Sequence, residues 1–306
     1  MKKTSFLLTC VMLTGSLSIT AESATESVRT NSDQVFVNGA VYTMNQDMPW
    51  AEAIAITDGV VVAVGANSEI SEYTGDATTI NDLKGRMLMP AFHDAHAHPI
   101  WSGIDQLKCP VFGLPSIEAI QNEVARCLNS TTTQSTGWVV GAGYNLGLFP
   151  AGNANKSLLD AVSLEIPIYL DGEDGHSGWA NSKALELAGI TADTPNPELG
   201  IIEKDPVSGE PTGTLREPAA MGLIKQIIPG DDLELFDDGL LFAQNLAHSF
   251  GITSIIAASV GEKHLAAYKK LADKGGLNLR MITSIEYGNT GFAVGPGGFE
   301  EVFAKR

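Results

Sequence analysis

Pro90-Ala91-Phe92-His93-Asp94-Ala95-His96-Ala97-His98-Pro99 is the stretch on which the reading of this chain turns. The apolar run before it predicts a buried strand over 87–92, with the histidines at its C-terminal end. In a parallel α/β barrel that end is the face on which active sites assemble. Side chains two apart on an extended segment point the same way, so His96 and His98 can present both imidazoles to one ion. Neutral imidazole suits zinc and other divalent first-row ions. Asp94 shares their parity and is expected to orient its neighbours or cap the turn. His93 has the opposite parity and is not counted as a ligand. A lone histidine is more often structural, but His-x-His at a strand end is a metal motif.

Upstream, residues 34–37 and 40–44 flank Asn38-Gly39, a pair that favours a tight hairpin. Residues 53–56 and 60–64 flank Thr57-Asp58-Gly59, a second hairpin signal. With residues 79–83 they define a small β-domain over 34–84. Downstream, strands alternate with helices, which implies a parallel sheet or barrel. Further strands are expected at 138–141, 167–170, 253–257 and 279–285. Helices are expected at 116–128, from a Ser116 cap, and at 181–188, ended by Gly189. Two more are expected at 233–250, ended by Gly251, and 262–274, ended by Gly275. The Gly- and Pro-rich 191–229 reads as an irregular excursion inside an inserted segment of about 172–230. Only about five barrel strands can be counted, where a closed (β/α)8 barrel needs eight. Residues 85–306 are therefore expected to form the N-terminal part of a barrel whose later strands are missing.

The chain has 306 residues, of which 44% are hydrophobic and 18% charged, enough to bury a sizeable core. A formal charge of −17 argues against nucleic-acid or anionic-membrane partners. Met1-Lys2-Lys3, an apolar run over 6–19 and small residues at Ala21, Ser23 and Ala24 read as a signal peptide over 1–23. The mature protein is expected to be exported, periplasmic or secreted, with no membrane span. After processing only Cys109 and Cys127 remain, compatible with a disulfide or with two buried thiols.

The small β-domain followed by Pro-Ala-Phe-His-Asp-Ala-His-Ala-His resembles the amidohydrolase superfamily, whose first barrel strand usually ends Pro-Gly-Phe-hydrophobic-Asp-x-His-x-His. His93 stands where a hydrophobic residue is usual. Asp174-Gly175-His176-Ser177-Gly178-Trp179-Ala180-Asn181-Ser182-Lys183-Ala184-Leu185 looks like family 3, the YtcJ-like branch that includes N-substituted formamide deformylase-like enzymes. So does Gly209-Glu210-Pro211-Thr212-Gly213-Thr214-Leu215-Arg216-Glu217. The resemblance implies an incomplete TIM-like (β/α)8 metal-dependent hydrolase barrel preceded by a small composite β-sandwich.

It also implies His96 and His98 as metal ligands, a divalent ion with zinc first, and a small amide-type substrate. His176 would donate to the substrate carbonyl, or else order its loop through Asp174 and Asn181. Trp179 would share the substrate site. Glu217 would either approach the metal or brace the insert. His248 and His264, on expected helices, are read as structural or exposed. The implied reaction is metal-assisted hydrolysis, with a carboxylate relaying the proton. Related enzymes complete the site with a lysine or another bridging ligand, later histidines and a late aspartate, none of them recognisable here. A fragment, a truncated gene product or a half that self-associates as a homo-oligomer would each explain this. Weak or no activity of the chain alone is expected. The alternative is a non-catalytic exported binding or regulatory protein on the same scaffold. A two-lobed solute-binding fold would fit export and the alternation but leaves the His-x-His unexplained.

Overall fold

Period-two apolar alternation lays down strands from Gln34 onward. The computed structural model describes residues 31–285, so the expected signal peptide lies outside the described residues. The chain divides into two compact units, one ending at Pro90 and one starting at Ala91.

The first unit holds strands β1 (Gln34–Val37), β2 (Ala40–Tyr42), β3 (Trp50–Ala51), β4 (Ala53–Thr57) and β5 (Val60–Gly65). Helix α1 (Asn67–Ile70), β6 (Thr79–Asp82) and β7 (Met87–Leu88) follow. The strands pair as β5-β4-β1-β6 and as β3-β2-β7, and Val35, Ala53, Ala55 and Ile70 form a buried core. The Thr57-Asp58-Gly59 signal closes the β4–β5 hairpin, with Asp58 and Gly59 at φ of 51° and 73°. Positive φ at both positions is the primed turn that matches strand twist.

Asn38-Gly39 does not close the expected hairpin, because β1 pairs with β4 and β6 whereas β2 pairs with β3 and β7. The turn chemistry is present, with Asn38 at φ 55°. Its amide donates to Asp82 Oδ1 (3.2 Å), and a Cβ at Gly39 would lie 2.2 Å from Leu83 Cδ1. This close approach carries the chain from one sheet into the other.

The strand expected over 87–92 is also two strands. Met87–Leu88 pairs within the first unit, and β8 (Phe92–Ala97) belongs to the second. Pro90, lacking an N–H, interrupts the ladder between them. Nor is the run buried: Met87 and Phe92 are 58% and 56% exposed.

The second unit is mixed α/β. After β8 come α2 (Pro99–Leu107), β9 (Cys109–Pro110), α3 (Ile117–Cys127), α4 (Thr131–Thr136), β10 (Val139–Tyr144) and α5 (Lys156–Asp160). Then follow β11 (Ile168–Gly172), β12 (Ser177–Ala180), α6 (Ser182–Leu187), β13 (Ile201–Lys204), β14 (Pro211–Arg216) and α7 (Glu217–Lys225). The described part ends with α8 (Leu233–Ser249), β15 (Ile252–Val260), α9 (Glu262–Asp273) and β16 (Arg280–Ile285). Six strands pair as β13-β14-β12-β11-β10-β9, and three as β16-β15-β8, parallel throughout. Among the described residues the parallel strands thus lie in two sheets and do not close into one barrel.

Local chemistry sets the helix ends. Ser116 and Asp232 accept from the N–H groups of Ala119 (3.1 Å) and Leu235 (2.8 Å), capping α3 and α8. Asn181 is fully buried and does more. It accepts from Ala184 N–H (2.9 Å) and Ile168 N–H (3.0 Å), and donates to the carbonyls of Ser163 (2.9 Å) and Ile166 (3.0 Å). One side chain therefore caps α6 and fixes the start of β11. The excursion expected over 191–229 is instead regular, because β13 and β14 extend the six-stranded sheet antiparallel. Cys109 and Cys127 form a disulfide that pins β9 to α3. No helix among the described residues is long and apolar enough to cross a membrane.

Candidate metal centre

β8 and the N-terminus of α2 bring His96 and His98 together, with ring centroids 5.2 Å apart and planes at 89°. His98 Nδ1 lies 3.1 Å from the carbonyl oxygen of Ala258, to which it donates as an N–H. In a neutral ring this bond puts the proton on Nδ1 and leaves the lone pair on Nε2. Ala258 sits in an irregularity of β15, where the register against β16 shifts and Ser259 takes φ 53°. The bulge aims the carbonyl at His98. Asp94 Oδ1 accepts the His96 N–H (2.9 Å) and so orders the turn.

The two imidazoles fit part of a divalent-ion site, since both are nitrogen donors at one strand end and one has its tautomer set. Catalytic zinc usually takes three protein ligands. Among the described residues, the one group of three close donor side chains is Cys109, Glu123 and Cys127, and the disulfide takes up both of its sulfurs. Glu217 does not join His96 and His98 in such a group.

Glu217 pairs with His176 instead. Its Oε2 lies 2.9 Å from His176 Nδ1, and its backbone N–H donates to the His176 carbonyl (2.7 Å). Glu217 adopts φ 66°, a left-handed conformation costly for a side chain with a Cβ. The strained turn lets one residue hold His176 by both main chain and carboxylate. That hydrogen bond, with the carboxylate charge, raises the His176 pKa above the ordinary histidine value.

Arg216 locks the preceding position. It donates to Glu203 (2.6 Å), Ser177 Oγ (3.3 Å), the Gly152 carbonyl (3.2 Å) and Asn153 Oδ1 (2.6 Å). The loop of His176 is ordered by Asp174, whose carboxylate accepts the N–H groups of His176 and Ser177 and the Ser177 hydroxyl. Trp179, expected beside the substrate, is fully buried against Tyr144 and Phe149, and its indole N–H donates to the Asn155 carbonyl (3.1 Å). It is a core residue beneath the His176 loop.

Two neighbours of the histidines were not assigned to the site from sequence: Trp101, which carried no signal of its own, and His264, read as structural or exposed. Trp101 on α2 stacks on His98 (5.2 Å, 23°), and His264 on α9 meets Trp101 at 5.3 Å. Burial, then the nearby His98, holds the His264 imidazole below the usual histidine range. Asp105, one turn beyond Trp101, is pushed up to about 6 by burial and by the Asp171 and Asp231 carboxylates, which Lys108 and Lys225 partly offset. The sequence-expected His248 lies in the last turn of α8, its Nε2 3.3 Å from the Asn278 carbonyl oxygen.

Comparison with known proteins places this chain in a class. A family model described as "Amidohydrolase family" matches residues 79–298, and the chain belongs to that family, in its family 3 branch. Over 192 residues it is 32% identical to N-substituted formamide deformylase of Arthrobacter pascens, covering 61% of this chain and 35% of that protein. Identity to putative amidohydrolase YtcJ of Bacillus subtilis is 30%, covering 72% and 41% respectively. Exoenzymes regulatory protein AepA of Pectobacterium carotovorum is 29% identical, over 80% of this chain and 54% of that one. The chain thus spans about half or less of the length of these relatives. Among solved structures, an uncharacterised metal-dependent hydrolase from Pyrococcus horikoshii superposes with a TM-score of 0.59 at 23% identity, covering 89% of this chain and 50% of the other. That likeness is one of fold.

Proposed function

We propose that this chain carries the first metal ligands, His96 and His98, of an exported metal-dependent amidohydrolase that cleaves the carbon–nitrogen bond of a small, non-peptide amide. The observation that carries the reading is the pairing of the two imidazoles, with the His98 tautomer set by the Ala258 carbonyl. The similarity to a formamide deformylase supports C–N chemistry, and imidazole ligands make zinc the first candidate. We read β8, β10, β11, β15 and β16 as strands of an incomplete (β/α)8 barrel, and residues 34–84 as its small composite β-sandwich. The signal-like N-terminus and the Cys109–Cys127 disulfide support export to the periplasm or beyond.

The bound ion would polarise the scissile carbonyl and lower the pKa of water. The residues of this chain do the rest of what can be assigned. Ala258 holds the Nδ1 proton of His98, and Asp94 orders His96. His176, oriented by the Glu217 carboxylate at its Nδ1, lies beside the substrate carbonyl. Glu217 acts through His176 and is not itself a ligand. No general base is assigned among the described residues, and the expected outcome for the chain alone is weak or no turnover.

The test is metal content and hydrolysis of N-substituted formamides by the purified mature chain, alongside His96→Ala and His98→Ala. Metal retained by wild type and lost in both variants is expected. Equal retention in all three sinks the ligand assignment, and robust turnover by the chain sinks its incompleteness. A second reading, a non-catalytic binding or regulatory protein, is favoured by the similarity to a relative named as regulatory. It predicts that the whole protein, too, hydrolyses no amide while still holding metal or ligand.

A further inference from the structure

We propose that Trp101 and His264 are positioning residues of His98, forming a stack of rings that fixes the direction in which its Nε2 faces. The proposal rests on His96 and His98 being metal ligands.

One hydrogen bond, from Nδ1 to the Ala258 carbonyl, holds one edge of the His98 ring and leaves the ring able to pivot about it. Trp101 lies across the ring face at 5.2 Å and 23°, and His96 closes edge-on at 89°. The pivot is then blocked by two rings. Trp101 is itself 39% exposed and could swing into solvent. His264 contacts it at 5.3 Å and 75°, and Phe236 contacts His264 at 5.3 Å and 66°. The rings run Phe236, His264, Trp101, His98, from α8 through α9 and α2 to the site. The α2 backbone has little freedom, because a Cβ at Gly103 would lie 1.9 Å from the Gly239 carbonyl oxygen on α8.

Packing alone does not explain a histidine at position 264. Its Nδ1 accepts the Gly261 N–H (3.3 Å), so the neutral ring carries its proton on Nε2, which is buried without a partner among the described residues. An aliphatic side chain would fill the space without that desolvation cost. An aliphatic would supply neither the bond from the Gly261 N–H that caps α9 nor a flat ring against Trp101. Second-sphere groups of this kind typically change metal affinity by about 10- to 100-fold.

The experiment uses the full chain with ¹⁵N-labelled histidine. Nitrogen NMR of the metal-free protein reads the His98 tautomer, and Co²⁺ titration reads affinity and the d–d spectrum. Wild type shows a single Nδ1–H tautomer. Trp101→Ala mixes the tautomers, alters the Co²⁺ spectrum and weakens binding by about 10- to 100-fold, whereas Trp101→Phe restores both readouts. His264→Leu weakens binding by about tenfold from the other side of the stack, so a misfolded Trp101→Ala would not end the test. An unchanged tautomer and Co²⁺ affinity in Trp101→Ala, or in His264→Leu if the former does not fold, overturns the proposal. If wild type takes up no Co²⁺, the ligand reading fails, while the tautomer still decides the bracing.

Discussion

In the six-stranded sheet β12 is buried at every residue and β10 at all but one, whereas in the three-stranded sheet β8 is exposed at four of its six residues and β16 alternates. The neighbours account for the contrast. β10 lies between β9 and β11 and packs against α3, α4, Phe149 and Trp179, while among the described residues β8 has β15 on one side only. The strand that carries His96 is thus an edge strand, exposed over most of its length among the described residues. At His96 and His98 the contacts are a bulge carbonyl on the ring of one, an Asp carboxylate on the backbone N–H of the other, and the Trp101 ring stacked on His98. The closed region takes its stability from burial and hydrogen bonds, and the open region takes its specificity from a few oriented groups.

The largest expected effect lies in the closed region. Asn181→Ala removes four hydrogen bonds at a fully buried site and leaves two N–H groups and two carbonyls without partners. A loss of about 4 kcal/mol is expected, read by chemical denaturation. A loss under about 1 kcal/mol would mean that the six-stranded sheet is not the stable half.

Next is the disulfide. It closes a loop of 18 residues, so Cys109→Ala with Cys127→Ala should lower stability by about 3 kcal/mol through the unfolded chain. The same double change should leave metal retention at His96 and His98 intact. A parallel loss of metal would join the two regions into one cooperative unit and break the contrast.

How far the sequence could be read follows the same division. Features fixed within a few residues were legible: the Asp58-Gly59 turn, the Ser116 and Asn181 caps, the glycines ending α6, α8 and α9, and the pairing of His96 with His98. Features set by distant partners were not. Asn38-Gly39 has the composition of a hairpin turn, yet its flanking strands find partners in different sheets. Trp179 follows His176 in a motif that implies a substrate site, but it is packed into the core by Tyr144 and Phe149. Position 264 reads as an ordinary third residue of a helix, and nothing local says that folding brings it to Trp101. The regular β13–β14 pair was hidden by the Gly and Pro content of its turns.

A smaller, pH-dependent effect tests α2, which lies between the two regions. The Asp105 carboxyl is raised from 3.8 to about 6, chiefly by burial and then by Asp171 and Asp231 against Lys108 and Lys225. A carboxyl with a raised folded-state pKa favours the native state below the unfolded value and loses that contribution as pH rises through about 6. Asp105→Asn should therefore leave stability unchanged near pH 4 and raise it by up to about 2 kcal/mol at pH 8. Denaturation at the two pH values reads this directly, and equal effects at both would show that the charge is not what the site opposes.

The smallest expected change in stability is the most informative about the open region. His96 is exposed on an edge strand, and its ring contacts only His98 among the described aromatic groups. His96→Ala should shift the denaturation midpoint by the equivalent of under about 0.5 kcal/mol, the scale of an ordinary surface substitution. The same change should abolish stoichiometric metal retention. A histidine kept for packing would behave the other way, with stability falling and metal unaffected. The two measurements on one variant therefore separate a residue held for its donor atom from one held for its contacts, and a stability loss as large as that of Asn181→Ala would assign His96 to the scaffold.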